Sequence, residues 1–278
     1  MADSAQVAKA EAFRALHDGP EPLVLVNASD ASIARIVVEA GYPAIATSSA
    51  GIAWLMGYAD GENIPREEML WMVRRIAERV DVPVTADMEA GYGTEPKAVA
   101  DTVRATVEAG AVGLNIEDGT IRSSEPLLDF DLAVARIAAG REAADETGVP
   151  AVLNARCDVF LRGGTGPEAL AEAIRRCNAF REAGADCLFV PFARDAETIG
   201  ALVEGIDGPV NILAGAVSPP IPELKRLGVA RVSIGGLLSL AYATLARDAA
   251  AELADGGAYG FARGVILHPE MNALMAGA

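Results

Sequence analysis

The sequence predicts an α/β fold, a (β/α)8 barrel of the TIM type. Three observations predict it: a repeated helix–glycine–apolar unit, a second kind of short apolar run opened by proline, and strict alternation of the two along the chain. Four helical patterns end in glycine and lead into an apolar run: VVEAGYPAIATS, TVEAGAVGLNIED, FREAGADCLFVP and LKRLGVARVSIGG, with the glycines at Gly41, Gly110, Gly184 and Gly228. Glycine just past a helix end takes the left-handed conformation at little cost and stops the helix. The runs that follow are short, rich in Val, Ile and Ala, and do not alternate with polar residues, which is the pattern of a strand buried on both faces.

DVPVTADME, TGVPAVLNARCD and DGPVNILAG are the second kind, and GPEPLVLVNASD resembles them. Each has proline at its start, where a missing N–H is tolerated. Together the two kinds predict eight strands, near 23–27, 43–48, 83–87, 112–117, 151–156, 186–190, 209–213 and 231–235. Helical stretches separate them. SDASIARIVVEAG starts with Ser29 or Asp30 as N-cap, and EPKAVADTVRATVEAG, GPEALAEAIRRCNAFREAG and IPELKRLG carry helical apolar spacing. Strand–helix repetition implies parallel strands with crossover helices, and eight units in 278 residues suit a closed barrel better than an open sheet. A helix near 4–17 is expected to cap one end. Residues 1–278 read as one barrel domain, with 237–278 as the last helix and a Gly-rich, apolar extension.

Composition narrows the function. The net charge is −16 and no Lys/Arg cluster forms a basic face, which excludes a nucleic-acid partner. No apolar run has the length and flanks of a membrane span. Cys157, Cys177 and Cys187 have no metal-ligand spacing and leave an odd count, as expected of a reducing cytoplasm.

Barrel active sites lie at the C-terminal strand ends. There the sequence places Asn27, Thr47, Ser48 and Ser49, then Asp87 and Glu89, Asn115, Glu117 and Asp118, Asn154, Arg156 and Asp158, and finally Asn211 and Ser233. Carboxylates converging on one mouth repel unless a cation or protons neutralise them. An all-oxygen donor set suits Mg²⁺, with Mn²⁺ as the alternative ion. Asp87, Glu89 and Glu117 are therefore the expected metal residues. Asp118 and Asp158 are read as helix caps or partners of arginines. Arg156, in an otherwise apolar strand, needs an anion. Two partners are open: Glu117 or another nearby acid, or a substrate carboxylate or phosphonate. His17 and His268 fall away from the strand ends, so a histidine-based acid/base or triad mechanism is not expected. Cys157 reads as a packed thiol.

TSSAGIAWLMGYAD, ADMEAGYG, NIEDG and LNARCD occur in order over roughly residues 13–245, and in them the chain resembles the isocitrate lyase/phosphoenolpyruvate mutase superfamily, on its divergent phosphonomutase-like branch. The resemblance implies a Mg²⁺-dependent barrel, a homotetramer built as a dimer of dimers with the last helix exchanged between paired subunits. It implies cleavage or formation of a C–C or C–P bond in a small 2-oxo or 2-hydroxy carboxylate through an enolate-like intermediate. Residue by residue it implies that Ser48, Ser49 and Ala50 receive the substrate carboxylate and that Asp60 lies near the metal waters. Asp87, Glu89 and Glu117 match the metal acids, Arg156 the substrate-gripping arginine, and Asn211 a contact to a second carboxylate. Glu89 stands where the family has Asp. The lid after strand four reads GTIRSSEPLLDFD and contains no Cys, His or Lys, so the family's lyase proton donor and the mutase lid pattern are both absent, and Pro191 replaces a family glutamate. Glu125, in a lid that also carries Arg122, Ser123 and Ser124, is the expected substitute acid/base. The leading expectation is a C–C lyase of the methylisocitrate-lyase or oxaloacetate-decarboxylase kind. Phosphonopyruvate mutase or hydrolase chemistry and a non-catalytic dicarboxylate binder stay open beside it.

Overall fold

The computed structural model describes residues 3–120, 122 and 125–277. It contains nine parallel strand segments in a nearly closed barrel. These are β1 (Leu23–Leu25), β2 (Asn27–Ala28), β3 (Ile45–Thr47), β4 (Val84–Asp87), β5 (Gly113–Glu117), β6 (Val152–Arg156), β7 (Cys187–Val190), β8 (Val210–Leu213) and β9 (Arg231–Ser233). All eight expected strands are present. The ninth segment arises because the first strand breaks at Val26: β1 pairs with β9, and β2 pairs with β3.

One side chain spans that break. Asn27 donates from Nδ2 to the Thr47 carbonyl (2.8 Å) and accepts at Oδ1 from the Ile234 and Gly235 amides (3.0 and 2.9 Å). A single amide thus joins the ends of β3 and β9 across the seam, replacing ladder bonds that the broken strand cannot make.

Eleven helices occur among the described residues. The capping helix α1 (Ser4–Ala15) starts at Asp3, whose carboxylate accepts from the Ala5 amide. Its Phe13 is fully buried at the N-terminal end of the barrel, where a Cβ on Gly113 would come within 2.9 Å of the ring. Gln6 ties the same helix to the Val107 and Ala111 carbonyls. The expected helices appear as α2 (Ala31–Glu39, capped by Asp30), α5 (Pro96–Glu108), α7 (Gly166–Glu182) and α9 (Ile221–Arg226). Four more complete the crossovers: α3 (Ser49–Leu55), α4 (Arg66–Ala77), α6 (Phe130–Glu146) and α8 (Ala196–Gly205). In α4 the core stripe is Met69, Met72, Val73 and Ile76, the i, i+3, i+4, i+7 spacing of one helix face.

The C-terminal part is unlike the rest. In α10 (Leu237–Gly256) only Ser239 is buried, and Leu237, Leu240, Leu245 and Leu253 are exposed. Ser239 meets Ser29 (Oγ–Oγ 2.7 Å) against Gly51, where a Cβ would lie 2.0 Å from the Ser29 hydroxyl. Only glycine allows α3 and α10 to approach this closely. The last helix, α11 (His268–Ala276), returns to α2, where Arg35 Nε donates to the Leu274 carbonyl. No helix among the described residues is long and apolar enough to cross a membrane.

Phe13→Ala should cost about 3–5 kcal/mol, the usual loss for truncating a buried aromatic side chain. Urea denaturation checks this. A loss below about 1 kcal/mol would mean that α1 is not part of the barrel's core.

Candidate active site at the barrel mouth

Asp87 is the last residue of β4, and α3 begins beside it. Ser49 donates to Asp87 Oδ2 from both its hydroxyl (2.8 Å) and its amide (3.3 Å). The Asp87 amide donates to Thr47 Oγ1 (2.9 Å), which fixes the residue from the other side. Asp87 Oδ1, by contrast, is buried without a partner. Ser48 caps α3 by accepting from the Gly51 amide. Ser48–Ala50 are thus the start of α3.

Glu89 repeats the pattern. Its Oε2 accepts from the Glu62 amide, and its Oε1 is buried and bare. The carboxyl is pushed up to about 8 by burial, then by the charges of Asp87 and Asp60. Glu117, at the end of β5, lies with Oε2 2.6 Å from Arg156 Nη1, an ion pair that lacks the alignment of a hydrogen bond. Burial raises its pKa against the opposing effect of Arg156.

Arg156 closes the cluster. Its Nε and Nη2 donate to the two oxygens of the fully buried Asp158 (2.6 and 3.2 Å). Burial pulls this guanidinium's pKa down, but Asp158 and Glu117 more than offset it, so the net shift is upward. The Asp158 amide donates to Asp118, which pairs with Arg176 (3.2 Å). Asp118 and Asp158 are therefore structural partners of arginines, as the sequence suggested. Arg156 takes the ion-paired role left open for it, with Glu117 and Asp158, and it also lines the cavity.

The cavity has a volume of about 450 Å³ and is polar where Ser48, Ser49, Asp60, Asp87, Asn115 and Arg156 line it. Asp60 stands at the exposed rim, where crowding by the protein and then the charge of Asp87 raise its pKa. Glu89 and Glu117 lie just outside the lining. Asn211 is buried outside the lining too, accepting from Asn154 (3.1 Å) and donating to Ser233 (3.2 Å). Glu125 is exposed and not part of the wall, and Ser123 and Ser124 lie outside the described residues.

Two residues that the structure brings to the site are not evident in the sequence. Glu62 accepts from the Tyr92 amide (2.6 Å) and pairs with Arg122 (2.7 Å), while its own amide holds Glu89. Glu62, Glu89 and Tyr92 all have positive φ (57°, 51° and 61°), uncommon for non-glycine residues and typical of functional loops. Gly91 (φ 82°) completes the turn, and a Cβ there would lie 3.1–3.5 Å from Val99 and Ile116. The second position is Arg231, on the cavity floor.

The site's donors suit a hydrated cation. Two carboxylates present one tethered oxygen and one bare one, and the third leans on Arg156. Among the described residues no three His, Cys, Asp or Glu side chains converge as direct ligands. Mg²⁺ fits such a site, because it keeps several waters and takes few direct carboxylates.

A parallel barrel carrying acids and an ion-paired arginine at its C-terminal mouth has the layout of a barrel enzyme's active site. The family described as phosphoenolpyruvate phosphomutase matches residues 13–254. A structure described as a lyase/mutase from Burkholderia cenocepacia J2315 superposes with a TM-score of 0.93 at 39% identity, covering 99% of this chain and 98% of that one. The 2-methylisocitrate lyase of Escherichia coli K12 is 33% identical over 231 residues, 79% of this chain and 76% of that protein. Oxaloacetate acetylhydrolase in complex with its product oxalate gives a TM-score of 0.86 at 26% identity, covering 97% and 94% of the two chains. The chain belongs to the isocitrate lyase/phosphoenolpyruvate mutase superfamily and is an enzyme of its lyase and mutase chemistry.

The Glu89 shift gives a pH dependence. The folded value, about 8, lies above the usual 4.5, so folding favours the protonated form. Its contribution to stability is complete below pH 4.5 and is lost as the pH rises through about 8. In chelator, Glu89→Gln should therefore flatten the fall in Tm between these limits and exceed wild type at pH 8. Parallel Tm–pH curves for the two proteins would show that Glu89 is not buried in this way.

Proposed function

We propose a Mg²⁺-dependent carbon–carbon lyase acting on a small 2-hydroxy- or 2-oxo-carboxylate. One observation carries the reading: Asp87 Oδ1 and Glu89 Oε1 are buried and unpartnered beside a cavity walled by Arg156. Asp87 would hold Mg²⁺, or Mn²⁺ in its place, with Glu89 and Glu117 acting through water. The bound ion supplies Lewis-acid stabilisation of the enolate-like charge that develops as the adjacent bond breaks.

The chain's own residues do the rest. Ser49 keeps Asp87 oriented, so that Oδ1 faces away from the bonded side. Ala50, in the first turn of α3, and Ser48 line the wall where the substrate carboxylate is received. Arg156 has N–H groups beyond those given to Asp158 and Glu117, and these fix the substrate's orientation. Among the described residues no Cys, His or Lys lines the cavity. Glu125 lies off the wall, so the proton-transfer role falls to Asp60, the rim acid with a raised pKa. Asn211 acts from behind the wall by holding Asn154 and Ser233.

C–P chemistry is less well supported. A phosphonate calls for cations at the lid, and Arg122 there is already paired with the buried Glu62. The exposed leucines of α10 support the expected exchange of this helix with a second copy in a dimer of dimers. The three cysteines, all free and buried, support a reducing cytoplasm.

Oxaloacetate, 2-methylisocitrate, alkylated malates and phosphonopyruvate, each with and without Mg²⁺, test the reading through pyruvate and phosphate release. Pyruvate from a C–C substrate, abolished by chelator and by Asp87→Ala, is expected. Full activity in chelator contradicts the metal role. Phosphate release from phosphonopyruvate alone selects C–P chemistry, and Mg²⁺-dependent stabilisation by oxalate without turnover selects the binding protein.

A further inference from the structure

Barrel interiors are ordinarily filled by branched apolar side chains. Here the layer below the mouth is polar. Asn154 donates to Asn115 (2.7 Å) and Asn211 (3.1 Å), and Thr85 and Arg231 share this interior. Arg231 opens β9, in register with Asn211, and is 1% exposed. It lines the floor of the same cavity whose mouth carries Asp87 and Arg156.

The other buried guanidinium groups are each accounted for. Arg156 has Asp158 and Glu117, and Arg176 has Asp118 and Glu172. Arg136 donates to the carbonyls of Ala90, Gly93 and Thr94. Arg231 differs from them all. Its Nε and Nη1 are buried without acceptors, and no ion pair reaches it among the described residues. Below it the Phe13 ring lies 5.8 Å away. The Cys187 thiol nearby is pushed up to about 12 by burial, so it brings no negative charge at neutral pH. The carboxylate whose charge acts on Arg231 is Asp87, at the mouth, and it forms no ion pair with the guanidinium, whose buried Nε and Nη1 stay without an acceptor.

We propose that Arg231 is an anion receptor on the cavity floor, taking the carboxylate at the far end of a bound acid whose near end lies by Asp87 and Arg156. The inference rests on the reading of the mouth as a site for small carboxylates, and it narrows the ligand class to dicarboxylates. A floor cation set below the mouth selects an acid by length as well as by charge.

Succinate and butyrate, which differ by one carboxylate, are titrated against the full-length protein with Mg²⁺, read by thermal shift and by fluorescence of Trp54 in the cavity wall. Wild type should prefer succinate by at least about tenfold, the usual scale of one charge-assisted hydrogen bond. Arg231→Met should erase the preference without lowering Tm, because it removes an unpaired buried charge, and should leave oxalate binding intact. Equal preference in both proteins, or none in wild type, overturns the inference. Should the methionine variant not fold, a crystal structure of wild type grown with succinate and sodium bromide decides. A carboxylate at the guanidinium supports the proposal, and bromide or water there contradicts it. Oxalate separates the two readings: loss of its Mg²⁺-dependent binding in wild type sinks the mouth assignment, whereas its retention without succinate preference sinks only the role of Arg231.

Discussion

The structure depends on crowding several carboxylates at one end of a closed barrel, where like charges cannot share a dry space unless each is compensated. Asp87, Glu89 and Glu117 meet there with Asp158 and Asp118 just behind. The protein supplies less positive charge than this requires. Arg156 is divided between Glu117 and Asp158, Arg176 serves Asp118, and Ser49 and the Glu62 amide give Asp87 and Glu89 neutral donors. The raised values of Glu89 and Glu117 follow first from burial, to which the neighbouring carboxylates add. A mouth left short of positive charge is suited to a divalent cation and its waters.

The backbone is shaped to keep the acids close. The turn after β4 runs through two left-handed non-glycine residues, Glu89 and Tyr92, and is fastened by Glu62, itself left-handed in the loop before α4, while Asn27 closes the barrel across its split first strand. The Glu117 amide donates to the Glu89 carbonyl, so the ends of β4 and β5 are also tied by backbone. Conformational cost is concentrated beside the chemistry, on a scaffold whose other end is sealed by the apolar contact of Phe13 with Gly113. This division gives a stable N-terminal end and a charged, preorganised C-terminal end, as in barrel enzymes generally.

Much of this was legible in the sequence. Strands buried on both faces leave continuous apolar runs, and helix-ending glycines mark where each begins, so the eight strands and the residues at their ends followed from pattern. Asp87, Glu117 and Arg156 stand at strand ends and were visible for that reason. Glu62 was not, because it lies in a loop, GYADGENIP, where a glutamate looks like any solvated one, and its role comes from burial against Glu89 and Arg122. Arg231 was passed over because it begins its strand instead of ending it. Asn211 was legible as an inward polar residue, but the layer it occupies proved to be behind the wall. The break at Val26 left no trace, since LVLVNA reads as one uninterrupted strand.

The central claim is that the bare oxygen of Asp87 marks the metal position. Anomalous diffraction from crystals grown with Mn²⁺ and oxalate tests it most directly. The account predicts one strong peak within coordinating distance of Asp87 Oδ1, with waters between the ion and the carboxyls of Glu89 and Glu117. A peak elsewhere, or a cavity occupied by oxalate with no metal beside Asp87, would contradict it.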